Sequence, residues 1–110
     1  MQDMRAVYIN KFGGPDELIL ANLPVPALAE GQVMVRVSHA GVNPVDWKIR
    51  EGYLEPLFPH AFPLISGWDM AGVIEAVDNS VTEFKPGDKV YSHIQPKPIQ
   101  CGTYAEFVPA

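Results

Sequence analysis

Short runs of hydrophobic residues alternate along the chain with segments of turn-forming residues. In the clearest run, residues 32–38, the valines fall on one face and Gln32, Arg36 and Ser38 fall on the other. This two-residue period is that of a half-buried β-strand. Comparable runs predict further strands over residues 4–10, 17–23, 70–77, 89–94 and 103–108.

One segment carries the signals of a short α-helix. Asn43 is a favoured N-cap residue, and Pro44 suits the first helical position. Asp46 places a carboxylate in the first turn and precedes Arg50 by four residues, the spacing of a stabilising ion pair. Gly52 is a typical residue just beyond a helix end.

Proline and glycine are abundant, at 11 and 9 of 110 residues, and helices tolerate both poorly. Three of the prolines lie in residues 53–66, which we expect to form an irregular loop because proline cannot donate to a strand ladder. Pro86 and Gly87 occupy the central positions of a type II turn over residues 85–88. Several short strands with one or two short helices predict a mainly β fold, a small, partly open barrel forming one domain.

Charge and composition exclude several classes of partner. The formal net charge is −5, and the eight Lys and Arg residues are scattered, so we expect no nucleic-acid partner. No apolar run approaches the roughly 20 residues that span a bilayer, and the pattern of the first residues leads us to expect no secretory signal. Cys101 is the lone cysteine and has no partner for an internal disulfide. These features predict a cytoplasmic protein without a membrane segment.

Four segments, in this order and spacing, resemble the N-terminal domain of the medium-chain dehydrogenase/reductase superfamily. They are AGVNPVD at residues 40–46, GWDMAGVI at 67–74, FKPGDKV at 84–90 and GTYAEF at 102–107. The resemblance implies a GroES-like, partly open β-barrel over residues 1–110, the substrate-side catalytic domain. In the superfamily a nucleotide-binding Rossmann domain follows such a domain. No Gly-x-Gly-x-x-Gly loop occurs in this chain, so we expect no Rossmann domain within it.

Within that superfamily the residues at two positions indicate a zinc-independent branch. Catalytic zinc needs about three Cys, His or carboxylate ligands. In the zinc alcohol dehydrogenases a cysteine stands in the place of Asn43, and a His-Glu pair stands in the place of Trp68 and Asp69. Here asparagine and tryptophan occupy these positions, and Cys101 is the only cysteine. We therefore expect no metal site.

The resemblance is to the quinone-oxidoreductase branch, which implies hydride transfer from NADPH to quinones or α,β-unsaturated carbonyl compounds. Negative charge then gathers on a carbonyl oxygen and needs a hydrogen-bond donor or a cation. The resemblance points to Lys48, Asn43 and Tyr53 as catalytic residues and to Asn43 and Lys48 as cofactor-binding residues. It also implies that Trp68 and Trp47 line the substrate pocket.

Each of these residues also has a structural interpretation. Asn43 is equally suited to capping the helix, Lys48 to a solvated helix face and Tyr53 to an exposed loop. Trp47 is large and apolar enough to pack in the core or between domains.

Two functions stay open at this point. In one, the chain is part of an NADPH-dependent oxidoreductase, inactive alone, whose full-length form is a candidate homodimer because dimers are common in the superfamily. In the other, it is a stand-alone GroES-like binding or scaffold module without catalysis.

Overall fold

A computed structural model, which describes residues 3–110, contains two four-stranded sheets, one α-helix and one short 3-10 helix. The first sheet has the order β2-β1-β4-β7 and the second the order β6-β5-β3-β8. The strands are β1 (Asp3–Ile9), β2 (Ile19–Pro24), β3 (Val33–Ala40), β4 (His60–Ile65), β5 (Asp69–Val77), β6 (Lys89–His93), β7 (Ile99–Cys101) and β8 (Phe107–Pro109). The helices are α1 (Pro44–Arg50) and a 3-10 helix (Pro15–Glu17). The predicted mainly β, GroES-like fold with one or two short helices is confirmed.

Strand β3 is central to the second sheet and is buried more deeply than its alternation predicts. Val35 and its neighbour Met34 are both buried. The ladder between β3 and β5 shifts register between these two residues. The extra residue is Glu75 of β5, so β3 keeps its alternation. Val33, Val35 and Val37 pack in one cluster, and Met34 is buried on the opposite face.

Residues 53–66 contain a strand, and the prediction of an irregular loop throughout is wrong. Strand β4 pairs with β1 at Leu64 and Ile65 and with β7 at His60. Pro63 is exposed and lies between these pairing positions. The missing N–H of Pro63 therefore removes no hydrogen bond between strands, and a strand can accommodate proline at such a position.

Residues 103–108 do not form the single strand that was predicted. Only β8 is regular, and the residues before it cross from one sheet to the other. The N–H of Thr103 donates to the carbonyl of Gly67, and the carbonyl of Tyr104 accepts the N–H of Val7 in β1. The carbonyl of Glu106 then accepts the N–H of Val37 in β3. These bonds satisfy the backbone of the crossing segment without a ladder and join the two sheets.

The helix forms where the sequence predicts. Asn43 precedes it with extended backbone, Pro44 is its first residue, and Gly52 follows it with φ +87°. The N–H of Gly52 donates to Ile49 and that of Tyr53 to Lys48, the two bonds of a Schellman ending. No helix of residues 3–110 is long and apolar enough to cross a membrane.

The core under the helix is built from α1, three strands of the first sheet and the residue before β5. Ile49 of α1 packs with Ile9 of β1 and Leu64 of β4, and Trp68 and Ile99 complete this cluster. All five side chains are at least nine-tenths buried. Their burial fixes α1 on the first sheet and so places the helix start next to the beginning of β5.

Gly72 marks a close approach of β5 to β3. A Cβ added there would overlap the backbone carbonyl oxygen of Arg36, and a backbone atom has no rotamer by which to move aside. We predict that Gly72→Ala lowers the free energy of unfolding by about 1–3 kcal/mol, the usual cost of overpacking. Urea denaturation measures this loss.

Gly14→Ala is the matched control, since Gly14 has φ −80° and open space around an added Cβ. It should change stability by less than about 0.5 kcal/mol. Equal stabilities of the two variants would contradict the packing of β5 against β3 described above.

Candidate functional site

The start of α1 is held by a buried carboxylate. Oδ2 of Asp46 accepts the backbone N–H of Asn43 at 2.7 Å and the phenolic O–H of Tyr104 at 2.8 Å. Asp46 is only 5% exposed, so these bonds form away from bulk water, where a charge-assisted hydrogen bond is strong. The predicted role of Asp46 at the helix start is confirmed, and Tyr104 is an additional partner from the segment that joins the sheets.

A second carboxylate holds the side chain of Asn43. Asp69, the first residue of β5, accepts the backbone N–H of Gly41 at 2.7 Å and the Nδ2–H of Asn43 at 3.0 Å. Gly41 permits this approach, because a Cβ there would overlap the Asp69 carboxylate. Asn43 is therefore fixed at its backbone by Asp46 and at its amide by Asp69.

A cleft of about 190 Å³ opens beside Asn43. Its outer part is apolar and includes Val42, which is 83% exposed, together with Leu18 and Trp47. Its polar residues are Asn43, Asp46, Arg50, Ser66 and Tyr104. An apolar mouth beside a few polar groups is the composition of a small-molecule site, but the volume is below the roughly 300–1,000 Å³ of a complete one.

The structure brings Trp47, Lys48 and Tyr53 together at the end of the helix. The Trp47 and Tyr53 rings meet edge to face with centroids 5.6 Å apart, and Nζ of Lys48 lies 5.7 Å from the centroid of the Trp47 ring. Trp47 is 41% exposed and Tyr53 60% exposed. Trp47 is thus not a core residue of this domain, and it lines the cleft beside Asn43.

Trp68 lies apart from this group. It is 8% exposed, belongs to the core cluster under α1 and is not among the residues that line the cleft. Its ring packs edge to face with His93 at 5.9 Å. In the described part of the chain its buried indole N–H has no hydrogen-bond partner.

The predicted ion pair between Asp46 and Arg50 is wrong. Arg50 instead contacts Glu51 through Nη2 at 3.0 Å and donates from Nε to the carbonyl of Gly13 at 3.2 Å. Asp46 is turned toward Tyr104 on the buried side of the helix. Four-residue spacing allows a pair, but competing partners decide whether it forms.

The residues at the two metal-binding positions of the zinc alcohol dehydrogenases do not fit zinc. The Asn43 amide nitrogen is engaged by Asp69, and an indole such as that of Trp68 donates and cannot ligate. Residues 3–110 contain no group of three or more His, Cys, Asp or Glu side chains placed to hold a metal ion.

Two site residues, Asp69 and Tyr104, were not predicted. Both lie in the motifs at residues 67–74 and 102–107, but their partners are 26 and 58 residues away in the chain. Such distant pairings have no periodic signal. Asp69 is a charged residue in an otherwise apolar segment, which is a weak hint, whereas Tyr104 lies in a mixed segment that offers none.

Tyr104 links the site to pH. Burial, followed by the hydrogen bond and the negative charge of Asp46, raises the pKa of Tyr104 well above its ordinary value near 10. The neutral phenol is therefore favoured in the folded state. Its contribution to stability is complete below pH 10 and is lost as the pH rises toward the folded pKa, because only the unfolded chain releases the proton there.

We predict that Tyr104→Phe lowers the free energy of unfolding at pH 7 by about 1–3 kcal/mol, because buried Asp46 loses a donor. Above pH 10 the stability of the wild type should fall more steeply with pH than that of the variant. Urea denaturation between pH 7 and 11 measures both effects. Tyr91→Phe, at an 88% exposed position, is the control, and parallel pH profiles for wild type and Tyr104→Phe would contradict the assignment.

Comparison with known proteins agrees with this fold. The family described as the Alcohol dehydrogenase GroES-like domain matches residues 29–109. The chain is 37% identical over 111 residues to an Arabidopsis thaliana NADPH-dependent alkenal/one oxidoreductase, covering 96% of this chain and 28% of that protein. It is 41% identical over 107 residues to the quinone oxidoreductase of Homo sapiens, covering 94% of this chain and 30% of that protein.

Solved structures show the same likeness. The quinone oxidoreductase from Coxiella burnetii superposes with a TM-score of 0.85 at 30% identity, over 99% of this chain and 35% of that one. A cobalt and zinc bound alcohol dehydrogenase from Pyrobaculum aerophilum superposes with a TM-score of 0.83 at 26% identity, over 98% of this chain and 39% of that one. The chain thus spans about a third of the length of the relatives it matches, and it belongs to the alcohol dehydrogenase GroES-like domain family.

Proposed function

We propose that this domain is the substrate-side part of an NADPH-dependent, zinc-independent oxidoreductase that reduces quinones or α,β-unsaturated carbonyl compounds, and that it is inactive alone. The relatives named as quinone and alkenal/one oxidoreductases support the reaction class. The superposition on a quinone oxidoreductase supports it independently.

The hydrogen bond between Asn43 and Asp69 is the observation that carries the zinc-independent part of the proposal. It occupies the amide at the position where zinc enzymes place a cysteine. Trp68, at the position of the zinc-binding histidine, is enclosed in the core. Without a Lewis acid, the charge that develops on the substrate oxygen has to be stabilised by donors of the protein.

Three donors lie around the helix. Asn43 keeps one N–H beyond the bond to Asp69, and Lys48 and Tyr53 offer an exposed ammonium and an exposed phenol. These groups have the right chemistry to bind a carbonyl oxygen or the hydroxyl groups of a ribose. The apolar mouth formed by Leu18, Val42 and Trp47 suits an aromatic or alkenyl substrate.

NADPH, when bound, supplies the hydride. In the proposal Asn43 and Lys48 contact it from this side, and a nucleotide-binding domain outside these 110 residues holds most of it. This chain's own part is to orient the carbonyl group and to exclude water from the reacting atoms. A cytoplasmic location and a homodimer of the full-length protein are further parts of the proposal.

Lys48→Met tests the role of the ammonium. We predict a loss of at least about tenfold in kcat/KM for a quinone, since a lost charge-stabilising donor typically costs 10²–10³-fold and an exposed one costs less. NADPH oxidation by the protein expressed from its full coding sequence is the assay. Lys97→Met makes the same change at another exposed position and should leave the rate unchanged.

Equal activity of Lys48→Met and Lys97→Met would show that Lys48 is only a solvated helix residue without a part in the reaction. Absence of both NADPH binding by calorimetry and NADPH oxidation would instead support the scaffold function. Stoichiometric zinc in the active protein, measured by elemental analysis, would contradict zinc independence.

A further inference from the structure

We propose that Asp69 is a positioning residue that sets the orientation of the Asn43 amide, so that Asn43 presents a defined N–H donor to a carbonyl oxygen in the cleft. The hydrogen bonds of Asp69 to Gly41 and Asn43 are the evidence for its positioning role. The identity of the ligand that Asn43 binds rests on the proposed function.

The chemistry of the pair decides which end of the amide faces Asp69. An ionised carboxylate only accepts hydrogen bonds, whereas an asparagine side chain has a donating end and an accepting end of nearly equal size. Nδ2 lies 3.0 Å from Oδ2 of Asp69, and the reversed amide would set two oxygens against each other. Asp69 therefore removes the ambiguity that an isolated asparagine has.

Asp69 itself is anchored on its other oxygen. Oδ1 accepts the N–H of Gly41 at 2.7 Å, and the absence of a side chain at Gly41 leaves room for the carboxylate. The carboxylate is thus bound on both oxygens and has little freedom to rotate. A group held in this way transmits a fixed geometry to its partner, as outer residues do for the ligands of a metal.

The backbone of Asn43 is held independently. Its N–H donates to Asp46 at 2.7 Å, and Asp46 is held in turn by Tyr104 at 2.8 Å. The Asn43 side chain also faces the backbone N–H of Asp46 in a capping box, which uses the oxygen end of the amide. The bond to Asp69 uses the nitrogen end, so Asp69 holds the donating end of the amide, which the helix start leaves without a partner.

Asn43 lies at the wall of the cleft that Trp47 and Leu18 flank on the apolar side. The N–H of Asn43 not bound by Asp69 is suited to a carbonyl oxygen. Two sources have that chemistry, the carbonyl of a quinone or enone and the carboxamide of the nicotinamide. In the Asp69→Asn variant, a higher KM for the substrate indicates the first source. A lower affinity for NADPH with an unchanged substrate KM indicates the second.

The exchange of the two residues separates positioning from mere stability. In the double variant Asn43→Asp/Asp69→Asn the hydrogen bond can form again with its direction reversed, because the amide introduced at position 69 donates through its nitrogen and still accepts from Gly41 through its oxygen. Position 43 then carries acceptors only. We expect thermal stability near that of the wild type but kcat/KM for NADPH and quinone reduced about tenfold to a hundredfold.

The single variants complete the set. Asp69→Asn keeps one accepting oxygen, so we expect a small loss of stability and about a tenfold loss of kcat/KM. Asn43→Asp sets two carboxylates side by side and should be the least stable of the three. Asp16→Asn, at an exposed position of the 3-10 helix, is the matched control and should behave as the wild type.

A measurement without turnover tests the orientation directly. In ¹⁵N–¹H spectra of the full-length protein, the Asn43 side-chain NH₂ signals should move strongly on Asp69→Asn and stay in place on Asp16→Asn. Unchanged signals on Asp69→Asn would overturn the positioning role. So would full activity of the exchanged pair, since that protein has no side-chain donor at position 43.

The two proposals fail in different ways. If the wild type does not oxidise NADPH with any quinone or enone, the proposed function and the ligand assigned to Asn43 fall together. The NMR experiment then still decides whether Asp69 orients the amide. If the wild type is active but activity in all variants simply follows their stability, the proposed function stands and the positioning role is wrong.

Discussion

Two carboxylates bound to one asparagine define the architecture around the cleft. Asp46 fixes the backbone of Asn43 and Asp69 fixes its amide. Through these bonds the first turn of α1, the first residue of β5 and the segment that joins the sheets meet at one point, because Tyr104 of that segment donates to Asp46. Buried polar groups of this kind stabilise a structure only when their partners are in place, so each element here depends on the position of the others.

Much of the fold follows from local sequence signals. The valine alternation of β3, the Asn-Pro start and Gly52 end of α1, and the Pro-Gly turn at residues 85–88 all appear where they were predicted. In that turn Gly87 has φ +95°, and the N–H of Asp88 donates to the carbonyl of Lys85 at 3.2 Å. In each case one or two residues have a backbone preference strong enough to decide the local structure.

The errors occur where distant partners outweigh local preference. Strand β4 forms in a proline-containing segment because β1 and β7 pair with it on either side, and no ladder hydrogen bond requires an N–H at Pro63. The segment before β8 leaves strand geometry because β1 and β3 bind it on opposite sides. The Asp46–Arg50 pair fails because Tyr104 and Gly13 provide other partners. Asn43 could be predicted as a site residue, whereas its partner Asp69 could not, because the two residues are 26 positions apart and no local pattern links them.

The candidate site combines a fixed polar group with an apolar opening. Asn43 is rigidly placed, whereas Lys48, Trp47 and Tyr53 form an exposed group at the outer side of the helix. In the proposed enzyme the rest of the protein covers this exposed side and excludes water, which strengthens the donors' effect on a developing negative charge. The proposal that this domain is inactive alone follows from that exposure as well as from the absence of a dinucleotide loop in these 110 residues.

Metal-free hydride transfer from NADPH to a conjugated carbonyl compound is the activity proposed for the full-length protein. Deuterium transfer tests it most directly. The chelator-treated protein is incubated with an enone and NADPH that carries two deuterium atoms at the nicotinamide C4, and the product is analysed by NMR. We expect one deuterium on the carbon β to the carbonyl, at a rate that added zinc does not change. A product without deuterium, or a reaction that requires zinc, would contradict it.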